Sequence, residues 1–178
     1  PTLMAVDAGN THVVVAIYER DEMRAHWRLS MDPQRTEDEY AAIILKLMES
    51  KGLAPSAVRA LAVACVVPPA IETLMRLGRR YFQLEPLIVE AHYDTGIALE
   101  VDNPLEVGAD RIANCAGAKY KYGLPAIVVD FGTATTIDVV SRSSAFIGGA
   151  ILPGILTGIE ALFAKTSKLP RVEFQRPP

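Results

Sequence analysis

The chain has 178 residues, half of them hydrophobic and 22% charged, with a formal net charge of −3. That length supports one large domain or two small ones, and the apolar content excludes a disordered chain. The mild acidity gives no electrostatic reason to expect nucleic acid or an anionic membrane as a partner. The longest apolar runs, such as residues 60–70, are too short to span a bilayer, and no signal-like segment opens the chain. A cytoplasmic protein is therefore expected.

In chain order, Leu3–Asp7, His12–Tyr18 and Met23–Leu29 read as three short strands in a meander, with Glu19-Arg20-Asp21 as the second turn. Thr36 and Glu39 form a capping box, after which Tyr40, Ile43, Ile44, Leu47 and Met48 recur at helical spacing until Gly52. Residues 60–67 form an apolar run of strand length, expected to be covered on both faces. Pro68-Pro69 opens a second helix, with Ile71, Leu74, Met75 and Leu77 on its inner side. Pro86–Glu90 reads as a strand, and His92–Pro104 as loop.

A long helix is expected over Glu106–Tyr122, because Ile112, Cys115, Ala116 and Lys119 share one face. Ala126–Asp130, Thr135–Val140 and Ala145–Ile147 then restart the meander, and Gly148-Gly149 and Pro153-Gly154 lead into a helix through Phe163. The order is βββαβαβ, a linking helix, and βββα again. Domain boundaries are placed at 1–105 and 106–178. The second half is incomplete, since it lacks the strand–helix–strand set that finishes the first. Further sequence is expected after residue 178.

The repeat extends to the wording. Val6-Asp7-Ala8-Gly9-Asn10-Thr11-His12 returns as Val129-Asp130-Phe131-Gly132-Thr133-Ala134-Thr135. Each copy carries an apolar strand into an Asp, a small-residue turn, hydroxyl residues and a second strand. Gly9 and Gly132 are expected to adopt positive φ and let successive N–H groups converge on an anion. Asn10, Thr11, Thr133 and Thr135 would add neutral donors. Asp7 and Asp130 would repel a phosphate, so their task would be a cation or its waters. For Asp130, a magnesium-bound water and a monovalent cation both remain open on the residues alone.

Other candidates are discounted. Cys65 and Cys115 lie in apolar stretches and read as buried thiols. His12, His26 and His92 have no metal-ligand spacing, and a zinc site is not expected. Tyr18 and Trp27 read as packing residues, and Asp138 as a solvent-facing or capping acid. No P-loop and no dinucleotide-binding Gly-x-Gly-x-x-Gly is present.

Two phosphate turns on a duplicated meander resemble the actin, sugar kinase and Hsp70 ATPase superfamily, an α/β, ribonuclease H-like fold. Within it, four segments are similar to the type III pantothenate kinases. They are residues 7–11, the run Asn103-Pro104 through Gly108-Ala109-Asp110-Arg111, residues 130–136, and Gly148-Gly149-Ala150-Ile151 through Pro153-Gly154. The resemblance implies ATP-dependent phosphorylation of pantothenate to 4′-phosphopantothenate, the first step of coenzyme A synthesis. It implies that Asp7, Ala8, Gly9, Asn10, Thr11, His12, Val13 and Val14, with Gly132 and Thr133, bind ATP. Gly108, Ala109, Asp110 and Arg111 would bind pantothenate, with Asp110 as proton acceptor. Asp130 would hold potassium or ammonium, and Asp7 magnesium or its waters. Gly148–Gly154 would shape a nucleotide cleft between the halves.

A homodimer completing the pantothenate pocket is also implied. Val101 stands where the family often carries a Tyr. The other reading of Asp110 is a helix-terminal acid favoured by the macrodipole, with Arg111 a solvated charge. The other reading of the whole chain is a non-catalytic nucleotide-binding regulator derived from such a kinase.

Overall fold

The computed structural model describes residues 2–167 and residue 170. It divides into two compact units. Unit 1 comprises Pro1–Thr95 with Leu105–Ala113, and unit 2 comprises Gly96–Pro104 with the chain from Asn114.

In unit 1 the strands β1 (Thr2–Ala8), β2 (His12–Glu19) and β3 (Glu22–Ser30) form the expected meander. Its second turn puts Arg20 at φ +56°. Helix α1 (Glu37–Ser50) begins at the expected capping box. The Thr36 N–H donates to Glu39 Oε2 at 2.8 Å, and the Glu39 N–H donates to Thr36 Oγ1 at 3.3 Å. Gly52, at φ +66°, follows its end. Strand β4 (Val58–Cys65) pairs in parallel with β1, helix α2 (Pro68–Leu77) starts on two prolines, and β5 (Leu87–Ile88) pairs in parallel with β4. The sheet order is β3-β2-β1-β4-β5.

Period-2 alternation sends Met4, Val6 and Ala8 of β1 and Val13, Val15 and Ile17 of β2 into one core, where Tyr40, Ile44 and Met48 of α1 and Leu74 and Leu77 of α2 meet them. Trp27 packs partly buried against this core, as expected of a packing residue. The expectation for residues 60–67 needs correcting, because β4 starts earlier and Ala60 is exposed. Its second face closes only toward the end, at Ala64.

Unit 2 carries β6 (Ala98–Leu99), most of α3 (Ala109–Tyr122), β7 (Ala126–Phe131), β8 (Ala134–Val140), β9 (Ala145–Pro153) and α4 (Ile155–Lys165). Its sheet order is β6-β9-β8-β7, antiparallel except where β6 joins β9. Three expectations change here. Two residues of the stretch read as loop, Ala98 and Leu99, pair with Ala145 and Phe146. Helix α3 begins at Ala109, after a 3₁₀ turn over Pro104–Glu106. Strand β9 runs through the glycine pair to Pro153 rather than stopping at Ile147, with Gly148 at φ +129° beside a register slip in the β8 pairing, as at a bulge.

Asp138 is also corrected. It is fully buried rather than solvent-facing, because β8 runs between two strands and its alternate positions Thr136, Asp138 and Val140 share a buried face. Cys65 and Cys115 are buried thiols that form no disulfide. Among the described residues, no helix is long and apolar enough to cross a membrane.

Candidate functional site

The first turn is closed by strand pairing. Asp7 faces Val14 and Ala8 faces Val13 across the hairpin, and the Gly9 N–H donates to the His12 carbonyl at 2.9 Å, leaving Asn10 and Thr11 as a two-residue tip. Two further bonds fix it from outside the hairpin. The Val66 N–H, just past β4, donates to the Ala8 carbonyl at 3.0 Å, and the Met31 N–H, just past β3, donates to the Thr11 carbonyl at 2.9 Å. Asp7, Asn10, Thr11 and His12 are exposed, while the Ala8 and Val13 side chains lie in the core. Ala8 and Val13 can therefore meet a ligand only through backbone.

The second turn repeats this plan with a shorter tip. Asp130 faces Thr136 and Phe131 faces Thr135, and the Gly132 N–H donates to the Ala134 carbonyl at 2.9 Å, so Thr133 alone forms the tip. The Gly154 N–H, just past β9, donates to the Thr133 carbonyl at 2.9 Å, as Met31 does to Thr11. Gly132 and Thr133 are exposed. The Asp130 carboxylate is exposed as well, and Asn114 Nδ2 donates to its Oδ2 at 2.9 Å.

The expected positive φ at Gly9 and Gly132 is not found. The glycines with positive φ are elsewhere, and a Cβ at Gly9 or Gly132 would meet only a carbonyl oxygen, at 3.6 and 3.5 Å. Both turns close within the hairpin ladder, so neither needs the left-handed backbone. Glycine here leaves room beside the tip. It is Gly154 that is sterically fixed, since a Cβ there would lie 2.2 Å from the Gly132 carbonyl oxygen.

Asp110 stands in the first turn of α3, part-buried, its Oδ1 accepting the Arg111 N–H at 2.8 Å. This is the helix-terminal position that the macrodipole favours for an acid. The carboxylate folds back over Gly108, where a Cβ would meet Asp110 Oδ1 at 2.5 Å and Val66 Cγ1 at 3.6 Å. Gly108 thus lies between the Asp110 carboxylate and Val66, whose N–H bonds to Ala8 of the first turn.

Val66 and Gly108 also wall a cavity of about 500 Å³ at the C-terminal ends of the parallel strands β4 and β5. Cys65, Val66, Ile71, Ile88, Gly108 and His92 are among its lining residues. Crevices outside the carboxyl ends of parallel strands are the usual ligand sites of open α/β sheets. Burial pushes the Cys65 thiol pKa up, so it lines the cavity as an apolar group. His92 contacts Glu90 at 3.3 Å. Sequence reasoning singled out Gly108 and Ala109 of this wall and the Gly148–Gly154 segment, but passed over Cys65, Val66, Ile71 and Ile88 as site residues, along with Asn114 and Thr157. A second depression, of about 610 Å³, lies between α1 and Leu53–Pro55 and involves none of these residues.

Among the described residues, no group of three or more His, Cys, Asp or Glu side chains could hold a metal ion. The acids present suit a different mode. Asp7 and Asp130 are exposed single carboxylates beside matching hairpin turns, and a hard cation of the magnesium type is commonly held by one or two carboxylates with substrate phosphates and water.

A family model described as type III pantothenate kinase matches residues 3–178. A type III pantothenate kinase of Anaeromyxobacter sp. is 49% identical over 176 residues, covering 99% of this chain and 69% of the relative. The chain spans about two thirds of the length of the curated relatives it matches. Among solved structures, a Campylobacter jejuni protein described as a Baf family transcriptional activator superposes with a TM-score of 0.54 at 20% identity, covering 98% of this chain and 67% of that one. An Aquifex aeolicus Ppx/GppA phosphatase does so with a TM-score of 0.53 at 15% identity, covering 93% and 56%. At these identities the structures speak to fold alone, which is the duplicated, actin-like α/β ATPase fold.

Proposed function

The chain belongs to the type III pantothenate kinase family, and from that premise we propose how its residues divide the work of phosphorylating pantothenate with ATP. Residues 7–14, with Gly132 and Thr133, hold the ATP phosphates through backbone N–H groups and hydroxyls. Gly108–Arg111 hold pantothenate. Asp110 takes the proton of its primary hydroxyl, and Arg111 pairs with its carboxylate in the manner guanidinium groups favour. Asp130 holds a potassium or ammonium ion. Asp7 faces magnesium or its waters, and when bound, that ion neutralises charge on the phosphates. The enzyme works in the cytoplasm as a homodimer.

One observation carries the reading. Gly108 leaves the Asp110 carboxylate the space a side chain would otherwise take, and Val66, on the other side of that space, bonds to Ala8. Gly108, which the carboxylate overlies, belongs to the cavity wall, and this supports the reading of Asp110 as the base. Phosphoryl transfer asks the protein for alignment and charge neutralisation, and an alcohol nucleophile gains most from a positioned base. The bond from the Arg111 N–H holds Oδ1, and Oδ2 is the oxygen that accepts the proton.

The test is an ADP-release assay on the protein carrying the full length of its relatives, with pantothenate and Mg-ATP, with and without potassium. Turnover should depend on potassium and fall by about 10²–10⁴-fold in Asp110→Asn, the usual contribution of a general base. Turnover absent in the folded wild-type protein would overturn the assignment in favour of a nucleotide-binding regulator.

A further inference from the structure

The two phosphate turns are closed by equivalent backbone bonds, and the second carries an extra group. The Thr157 hydroxyl, in the first turn of α4, donates to the Thr133 carbonyl at 3.0 Å, on the same oxygen that accepts the Gly154 N–H at 2.9 Å. A carbonyl oxygen has two lone pairs, and here each is assigned to a donor. We propose that Thr157 is a positioning residue for nucleotide binding. Its hydroxyl fixes the carbonyl of the single-residue tip and so holds Thr133 in the orientation that meets phosphate.

The argument is geometric. Thr133 is the whole tip, flanked by Gly132 and Ala134, which face each other across the hairpin. Rotation of the peptide after Thr133 is the freedom left to such a turn. That rotation would carry the carbonyl away from both Gly154 and Thr157. The fit on the Gly154 side is tight, since a Cβ on it would lie 2.5 Å from the Thr133 oxygen. Backbone and side chain of one short segment, Gly154–Thr157, therefore approach the tip together. Thr157 is itself exposed, so nothing in core packing requires a hydroxyl at this position. The inference rests on the reading that the Thr133 turn holds ATP phosphate.

The experiment compares Thr157→Val, Thr157→Ala and Thr157→Ser with Thr133→Val in the full-length kinase. Each is measured for the KM of ATP, the KM of pantothenate, kcat and Tm. Loss of one hydrogen bond of about 1 kcal/mol corresponds to roughly fivefold. Val and Ala at 157 should each raise the KM of ATP about fivefold, leave the KM of pantothenate unchanged and keep Tm within a few degrees, and Ser should restore the wild-type value. An unchanged KM for ATP in both Val and Ala would overturn the inference, provided Thr133→Val raises it. Equal effects on both substrates, or failure of Ser to restore, would also overturn it by assigning Thr157 a general structural role. If Thr133→Val itself leaves the KM of ATP unchanged, the reading of the turn fails and the inference with it.

Discussion

Aligned on Asp7 and Asp130, the first strands of the two meanders correspond position for position without a gap, yet their environments are opposite. Met4, Val6 and Ala8 of β1 are at most 3% exposed, whereas Ile127, Val129 and Phe131 at the corresponding positions of β7 are 69%, 46% and 70% exposed. The strands have the same alternation of apolar residues. In unit 1 that face lies under α1 and α2, whose Tyr40, Ile44, Met48, Leu74 and Leu77 complete the core. Among the described residues of unit 2, no equivalent layer covers β7. An apolar stripe on a strand records a face that the fold is built to cover. Whether it is covered depends on which helices reach it.

Truncations at paired positions test this most directly. Met4→Ala should cost about 2–5 kcal/mol, as large-to-small changes in a close-packed core do, while Ile127→Ala should stay within about 0.5 kcal/mol. Denaturant melts of the two variants check it, and similar losses would break the contrast. The turns differ in the same sense. Gly154→Ala must displace backbone and should cost about 1–3 kcal/mol, while Gly9→Ala meets only an ordinary contact and should melt close to wild type.

Smaller effects belong to unit 1. Removing the cap with Thr36→Ala should cost about 1 kcal/mol in the same assay. The smallest is a dependence on pH. Bonds from backbone N–H and Arg80 lower the Glu37 pKa below its ordinary 4.5, the Thr36 N–H and hydroxyl do so for Glu39, and the Arg79 guanidinium does so for Glu85. Carboxylates whose pKa falls on folding stabilise the native state above their ordinary range, and that contribution disappears as pH drops below about 4.5 and through their lowered values. Melts from pH 6 down to 3 should show a loss that Glu37→Gln, Glu39→Gln and Glu85→Gln together reduce.

What was legible in the sequence was local. The Thr36–Glu39 box, the proline start of α2 and the hairpin alternation depend on residues a few positions apart, and each appears where the spacing put it. The Asp110 segment was legible by its resemblance, and its placement over Gly108 gives that segment a physical reason. The failures are of two kinds. Gly148-Gly149 read as the lead into the last helix because glycine often ends a strand, yet their own pairs with Val139 and Asp138 carry β9 through them. Asp138 read as solvent-facing or capping because acids usually are, and the strands on either side of β8 rule out the solvent-facing alternative. Thr157 could not be read at all, since its partner lies 24 residues away with no periodicity linking them.

The backbone bonds past the third strand of each meander have a consequence for the order of assembly. Thr11 is reached by Met31, and Thr133 by Gly154, so each loop closes over only about twenty residues of chain, a span whose closure entropy is modest. A nascent chain emerging from the ribosome could set the first turn before α1 has been synthesised, and the second without any residue of the first. The parallel pairing of β1 with β4 must wait for Val58 and beyond. Each hairpin corner would then be finished early by neighbours in sequence, with the slower long-range pairing added around it.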